Sequence, residues 1–243
     1  SSSSAASDVY KRQEEELLHT LELSFRHNAR LHEHVRFLYS NGSMYKCCNS
    51  NLLYHGCIPM TENREFDGLM VGGKMYRGKE LMDFIDTQVK NAYFLPEDAP
   101  EKEACRDFMW YLWNGAKSPV FGKDKNRSFE HYFIEDPEVM RETMNPYYQL
   151  SEEEETCDMI LKEFGLPTKG SHIINGHMPV KIKSGETPIR AGGKLFIIDG
   201  GLSKAYQERT GIAGYTLIFN SHHLALAEHK PFDPERERTP KVY

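Results

Sequence analysis

Two short apolar runs, His172-Ile-Ile-Asn-Gly-His177 and Lys194-Leu-Phe-Ile-Ile-Asp199-Gly-Gly201, constrain the fold more than any other part of the chain. Each is too short for a helix and stops abruptly in small or polar residues, which is how a buried strand reads when it delivers side chains to the end of a sheet. Asn175-Gly176 marks the turn, and the backbone freedom of Gly176 lets His177 be presented from the strand end rather than packed along it. A neutral imidazole on a rigid strand end suits a transition metal, and Lys181, further along, can face an anion. An ordinary hydrogen-bonded loop histidine reads the same way from these residues alone. A second strand end repeats the arrangement: Leu52-Leu-Tyr-His55-Gly56 runs into Pro59, so His55 is presented like His177.

The rest of the chain surrounds these strands with helices, which makes the fold class α/β. Residues 1–13 open with four serines, show no apolar periodicity and are set aside as a disordered or non-native lead-in. From Glu14, Leu17, Leu18, Leu21 and Phe25, then Leu31, Val35 and Leu38, place one apolar stripe along a helical hairpin or a single long helix. Asn41-Gly42-Ser43 ends it, and Asn49-Ser-Asn51 turns a hairpin between Met44–Cys48 and the strand to His55. Residues 61–77 read as a hairpin insertion with its turn at Gly72-Gly73, followed by helices over 79–93 and 104–110. Trp110 and Trp113 are read as core or loop anchors. Ser151, followed by four glutamates, is read as the N-cap of a helix that ends at Gly165. The segments 211–219 and 223–229 form a closing hairpin, and 233–243 is a charged tail.

Composition excludes several functions. A net charge of −6 lacks the dominant basic face that a general nucleic-acid binder requires. No apolar run reaches the length of a membrane span, and the start of the chain lacks the basic-then-apolar order of a secretion signal, so the expectation is a cytoplasmic protein with no membrane partner. Cys47, Cys48, Cys57, Cys105 and Cys157 show no Cys-x-x-Cys spacing, so reduced thiols are expected. The cations Lys123, Lys125 and Arg127 follow Gly122 closely and suit a phosphomonoester, although a solvated basic turn has the same composition.

Several segments together carry a family resemblance: Asn41-Gly-Ser-Met-Tyr-Lys46, Asn51-Leu-Leu-Tyr-His-Gly-Cys-Ile-Pro59, Tyr111-Leu-Trp-Asn-Gly-Ala-Lys-Ser-Pro-Val-Phe-Gly-Lys-Asp-Lys125, Tyr132-Phe-Ile-Glu135, the His177 loop and Ile198-Asp-Gly-Gly-Leu-Ser-Lys-Ala-Tyr206. In these residues, from about Leu17 to Phe232, the chain resembles class III fructose-1,6-bisphosphatase, a bacterial family of the calcineurin-like metallophosphatase superfamily. The resemblance implies an α/β/β/α sandwich and a site for two metal ions, usually manganese. It also implies hydrolysis of fructose 1,6-bisphosphate to fructose 6-phosphate in gluconeogenesis. It makes His55 and His177 the two late metal ligands and supports Lys123, Lys125 and Arg127 as candidate phosphate contacts. Read from the residues themselves, Lys181 is a further candidate phosphate contact, and Asp199, entering a glycine turn after Ile197-Ile198, is a carboxylate behind a ligand histidine or a turn cap. The superfamily's earlier ligand motifs, Gly-Asp-x-His, Gly-Asp-x-x-Asp and Gly-Asn-His, do not occur in these residues. The chain therefore reads as the C-terminal part of a longer enzyme, its domain spanning 14–232, with catalytic residues unassigned and a homo-oligomer compatible with it. Two other readings stand beside this one: a phosphoprotein or nucleotide phosphatase of the same superfamily, and a non-catalytic interaction module.

Overall fold

The computed structural model describes residues 2–211, 214–220 and 222–230. The chain divides into two units, residues 1–43 and 44–243. The first holds helices α1 (Ser2–His27) and α2 (Ala29–Asn41). Asn28 separates them, leaving helical geometry while its side-chain oxygen accepts from the Leu31 N–H at 2.9 Å, an N-cap that starts α2. The helix begins at Ser2, so the stretch set aside as a lead-in is helical from Ser2 onward; once a helix is nucleated, each added residue gains one backbone bond, and Ala5-Ala6 favour the extension. The apolar stripe lies in helix, but Leu17, Leu18, Leu21 and Phe25 are exposed.

In the second unit, β1 (Tyr45–Cys48) and β2 (Asn51–Tyr54) form the expected hairpin, turning through left-handed Asn49 and Ser50. The insertion is the hairpin β3 (Gly68–Val71) and β4 (Lys74–Arg77). Helices α3 (Gly78–Phe94) and α4 (Lys102–Asn114) follow, burying Leu81, Ile85 and Leu112 in a cluster of their own. Short helices α5 (Pro137–Met140) and α6 (Tyr147–Leu150) precede α7 (Glu154–Glu163), which buries Cys157, Ile160 and Leu161. Ser151 is not its N-cap. Ser151 is buried beyond the end of α6, its carbonyl accepting from the Cys157 thiol, and Glu153 occupies the cap position. Glu154 and Glu155 still place negative charge in the first turn, and left-handed Gly165 follows the helix end.

The two apolar runs become β5 (His172–Asn175) and β7 (Leu195–Ile197), with β6 (Ile189–Arg190) between them in sequence. The sheet order is β1-β2-β5-β7-β6. β2, β5 and β7 are parallel, with Leu52 opposite Ile173 and Ile173 opposite Leu195. Strands covered on both faces read as unbroken apolar runs, and Leu52, Ile173, Ile174, Leu195, Phe196 and Ile197 are all buried. After α8 (Lys204–Thr210), β8 (Tyr215–Phe219) and β9 (Leu224–Glu228) make the closing hairpin. This is the expected α/β class, with one five-stranded mixed sheet and two separate hairpins among the described residues. The charged tail lies outside the described residues.

Ile173 is fully buried in the central strand. Ile173→Ala is expected to destabilise the protein by about 2–5 kcal/mol, read as a lower denaturant midpoint at unchanged slope. Leu18→Ala on exposed α1 is expected to stay within about 0.5 kcal/mol of the parent.

Candidate functional site at the ends of the parallel strands

Because β2, β5 and β7 run parallel and in register, their carboxyl ends share one edge, the side of an open α/β sheet where ligands bind. His55 follows β2, His177 follows β5 and Asp199 follows β7. Backbone bonds tie the three ends together: the Gly176 N–H donates to the His55 carbonyl at 2.9 Å, and the Ile198 N–H to the Asn175 carbonyl at 2.9 Å. Gly56 is required here, since a Cβ would stand 2.5 Å from the Pro119 carbonyl oxygen.

The turn at His177 differs from the reading made on sequence. His177 itself, not Gly176, takes the left-handed backbone, with φ of 66°. The Met178 N–H donates to the Gly176 carbonyl at 2.8 Å, which closes a tight three-residue turn centred on His177. A left-handed histidine costs about 1–3 kcal/mol, strain of the kind that gathers where a side chain must be held out of the ordinary path. A Cβ on Gly176 would meet Asp199 at an ordinary 3.4 Å, so space there does not demand glycine.

The strain brings the two histidines together across 122 residues: His55 Nε2 and His177 Nδ1 are 3.0 Å apart, the rings edge to face. His177 Nε2 stands 3.0 Å from the Phe121 carbonyl, which can only accept, so this nitrogen carries the proton and Nδ1 is bare. His55 Nε2–H then donates to it. Burial lowers the His55 pKa, the His177 ring lowers it further, and the Asp199 carboxylate opposes both. Asp199 also caps its own turn, accepting from the Gly201 N–H at 2.8 Å, while its influence on His55 is electrostatic.

The pair opens on a cleft of about 460 Å³, lined also by Trp113, Phe121, Lys123 and Glu142. Lys123 is paired with Glu142 at 2.5 Å, and the backbone N–H of Arg127 donates to the same carboxylate at 2.8 Å. Burial raises the Glu142 pKa, but Lys123 and that N–H outweigh it and hold the group below the usual carboxylate range. Of the four cations read from sequence, Lys123 lines this cleft. Lys181 lines a different cavity, the Arg127 guanidinium is paired with Glu130 at 2.7 Å, and Lys125 lines neither. Sequence reasoning missed Glu142 and the Phe121 carbonyl, for which no local pattern exists. Trp113 and Trp110 are both largely exposed, so of the two readings, core or loop anchor, the core one does not hold; Trp113 packs against Phe129 and walls the cleft. Among the described residues, no three His, Cys, Asp or Glu come together to hold an ion.

The profile of the family described as Firmicute fructose-1,6-bisphosphatase matches residues 5–241. The chain belongs to that family. It is 53% identical over 220 residues to a class 3 fructose-1,6-bisphosphatase of Clostridium beijerinckii, covering 90% of this chain and 33% of that protein. The class 3 enzymes of Finegoldia magna and Fusobacterium nucleatum are 50% and 51% identical, with 90% of this chain and 34% of each protein covered. The chain thus spans about a third of the length of the curated relatives it matches. No solved structure matches it significantly. No helix among the described residues of this family member is long and apolar enough to cross a membrane.

In the metal-free protein, His55 is expected to titrate below the ordinary histidine value of 6.5 in an NMR titration. His177→Ala removes one of the lowering influences and should move the His55 midpoint up. Because the folded pKa is depressed, the stability His55 contributes is complete above pH 6.5 and is lost as pH falls through the window below it.

Proposed function

We propose that the full-length protein hydrolyses fructose 1,6-bisphosphate to fructose 6-phosphate and inorganic phosphate in the cytoplasm, serving gluconeogenesis, with His55 and His177 holding manganese. The observation that carries this reading is the histidine pair at the shared strand edge, inside a chain whose relatives are named class 3 fructose-1,6-bisphosphatases.

The pair suits an ion on two counts. The two ring nitrogens stand 3.0 Å apart at one strand edge, close enough for both to be ligands of a single ion. Metal-ligating histidines commonly donate their other N–H to a backbone carbonyl, which is what His177 Nε2 does at Phe121. Binding through both facing nitrogens would require the His55 proton to sit on Nδ1 instead of Nε2 and the hydrogen bond between the rings to give way. Burial and His177 both disfavour a second proton on His55, so the neutral charge state a ligand imidazole needs is the resting one, although the proton sits on the other nitrogen. The chemistry such an ion supplies when bound is charge neutralisation at phosphoryl oxygens and acidification of a water.

The chain's own residues do the rest. Phe121 fixes the His177 ring, and Asp199 favours positive charge at the pair. The Lys123 ammonium has three donors; one is held by Glu142, which aims the others along the cleft toward a phosphate. With two imidazoles and no third ligand beside them among the described residues, these residues by themselves hold part of the metal site. That same observation favours a second reading, in which this segment alone is non-catalytic.

Phosphate release from fructose 1,6-bisphosphate with added manganese separates the readings, comparing this chain with the full-length protein. Activity is expected only in the full-length protein, lost on chelation and restored by manganese. His55→Ala and His177→Ala should each lower it by on the order of 100-fold or more, and Lys123→Ala should raise KM by about tenfold. Near-normal turnover in both histidine variants would remove the ligand assignment.

A further inference from the structure

On the other side of the His177 turn lies a second cavity, about 150 Å³, that the catalytic reading leaves unused. Gly176 and Met178 line it, whereas His177 between them lines the cleft, so one residue separates the two spaces. Its inner wall is Tyr147, Asn175, Leu195 and Ile197, all buried; Lys181 lies exposed at its edge beside Arg190.

Asn175 is only 4% exposed, and its Oδ1 has no hydrogen-bond partner. Its Nδ2 donates to the Gly56 carbonyl at 3.2 Å and to the Tyr147 hydroxyl at 2.8 Å. The Gly56 carbonyl can only accept, so the amide cannot be turned over to satisfy Oδ1 elsewhere. A buried acceptor without a donor costs about 1–3 kcal/mol, which a hydroxyl entering the cavity would relieve. At the edge, Glu186 accepts from the Lys181 backbone N–H at 3.0 Å and from the Arg190 guanidinium, and Arg190 also pairs with Glu152. Arg190 is thereby neutralised and fixed. Among the described residues, the Lys181 ammonium has no ion pair.

We propose that this cavity binds the hydroxyl-bearing end of a sugar phosphate, with Asn175 Oδ1 accepting a sugar hydroxyl and Lys181 meeting the phosphate. The volume is too small for a whole sugar bisphosphate, since small-molecule sites run from about 300 Å³, and suits one end of it. Resting on the function proposed above, the adjacency to His177 makes that end the uncleaved one of the substrate. A separate sugar phosphate satisfies the same chemistry.

The test is isothermal titration of fructose 6-phosphate into the full-length protein in chelator, which needs neither metal nor turnover. Binding is expected, about tenfold weaker in Lys181→Ala and restored in Lys181→Arg. No binding, or equal binding by wild type and Lys181→Ala, overturns the proposal and leaves a water-filled cavity. Where binding is lost as expected, kinetics with fructose 1,6-bisphosphate identify the source. A raised KM at preserved kcat in Lys181→Ala makes the ligand the uncleaved end of the substrate; an unchanged KM makes it a separate molecule. An inactive wild-type protein would sink the phosphatase reading while the titration still decides the cavity.

Discussion

The parallel pairing of β2, β5 and β7 is the constraint on which the site depends. Register between Leu52, Ile173 and Leu195 aligns three strand ends that are far apart in sequence, and the chain after each end carries a functional candidate. A slip by one residue would shift each strand end along its neighbour and swap its two packed faces, so the pairing that fills the core also sets where His55, His177 and Asp199 emerge. Backbone bonds from Gly176 to His55 and from Ile198 to Asn175 then lock the ends against one another. Positioning at this edge follows from sheet geometry before any side chain makes a contact.

On that frame the local chemistry is a matter of small displacements. The left-handed turn at His177 swings one ring onto another, and the Phe121 carbonyl and His55 decide which nitrogen is bare. Glu142 does for Lys123 what Phe121 does for His177: a half-buried carboxylate, held ionised, fixes a cation at the wall of the cleft. The same turn leaves Gly176 and Met178 on a different cavity, so a single strained residue divides the space around the strand end in two.

Much of this was legible in the sequence where the signal is local. The apolar runs at 172–175 and 195–197, the Asn49-Ser50 and Gly72-Gly73 turns and the two His-Gly strand ends all became the elements read from them. Local signals misled where a neighbour outside the pattern decided the outcome. Ser151 has the composition of an N-cap, but burial after α6 and a contact with Cys157 take it out of that position. Gly176 has the freedom to be left-handed, but the short turn puts the demand on His177. The basic run after Gly122 contains the cleft lysine, yet only packing sorts Lys123 from Lys125 and from Arg127, which its own neighbour Glu130 engages.

By itself the sequence determined the class of fold, the buried strands and the two histidines offered at strand ends, because periodicity, turn residues and apolar runs act over a few neighbouring positions. Tertiary structure alone decided that those histidines meet at 3.0 Å, that Glu142 and the Phe121 carbonyl serve the cleft, and that Lys181 and the unsatisfied Asn175 belong to a separate cavity. The physical reason is that distances between groups tens to more than a hundred residues apart are set by sheet register and by the direction in which each turn releases the chain, and no local pattern of residues encodes either.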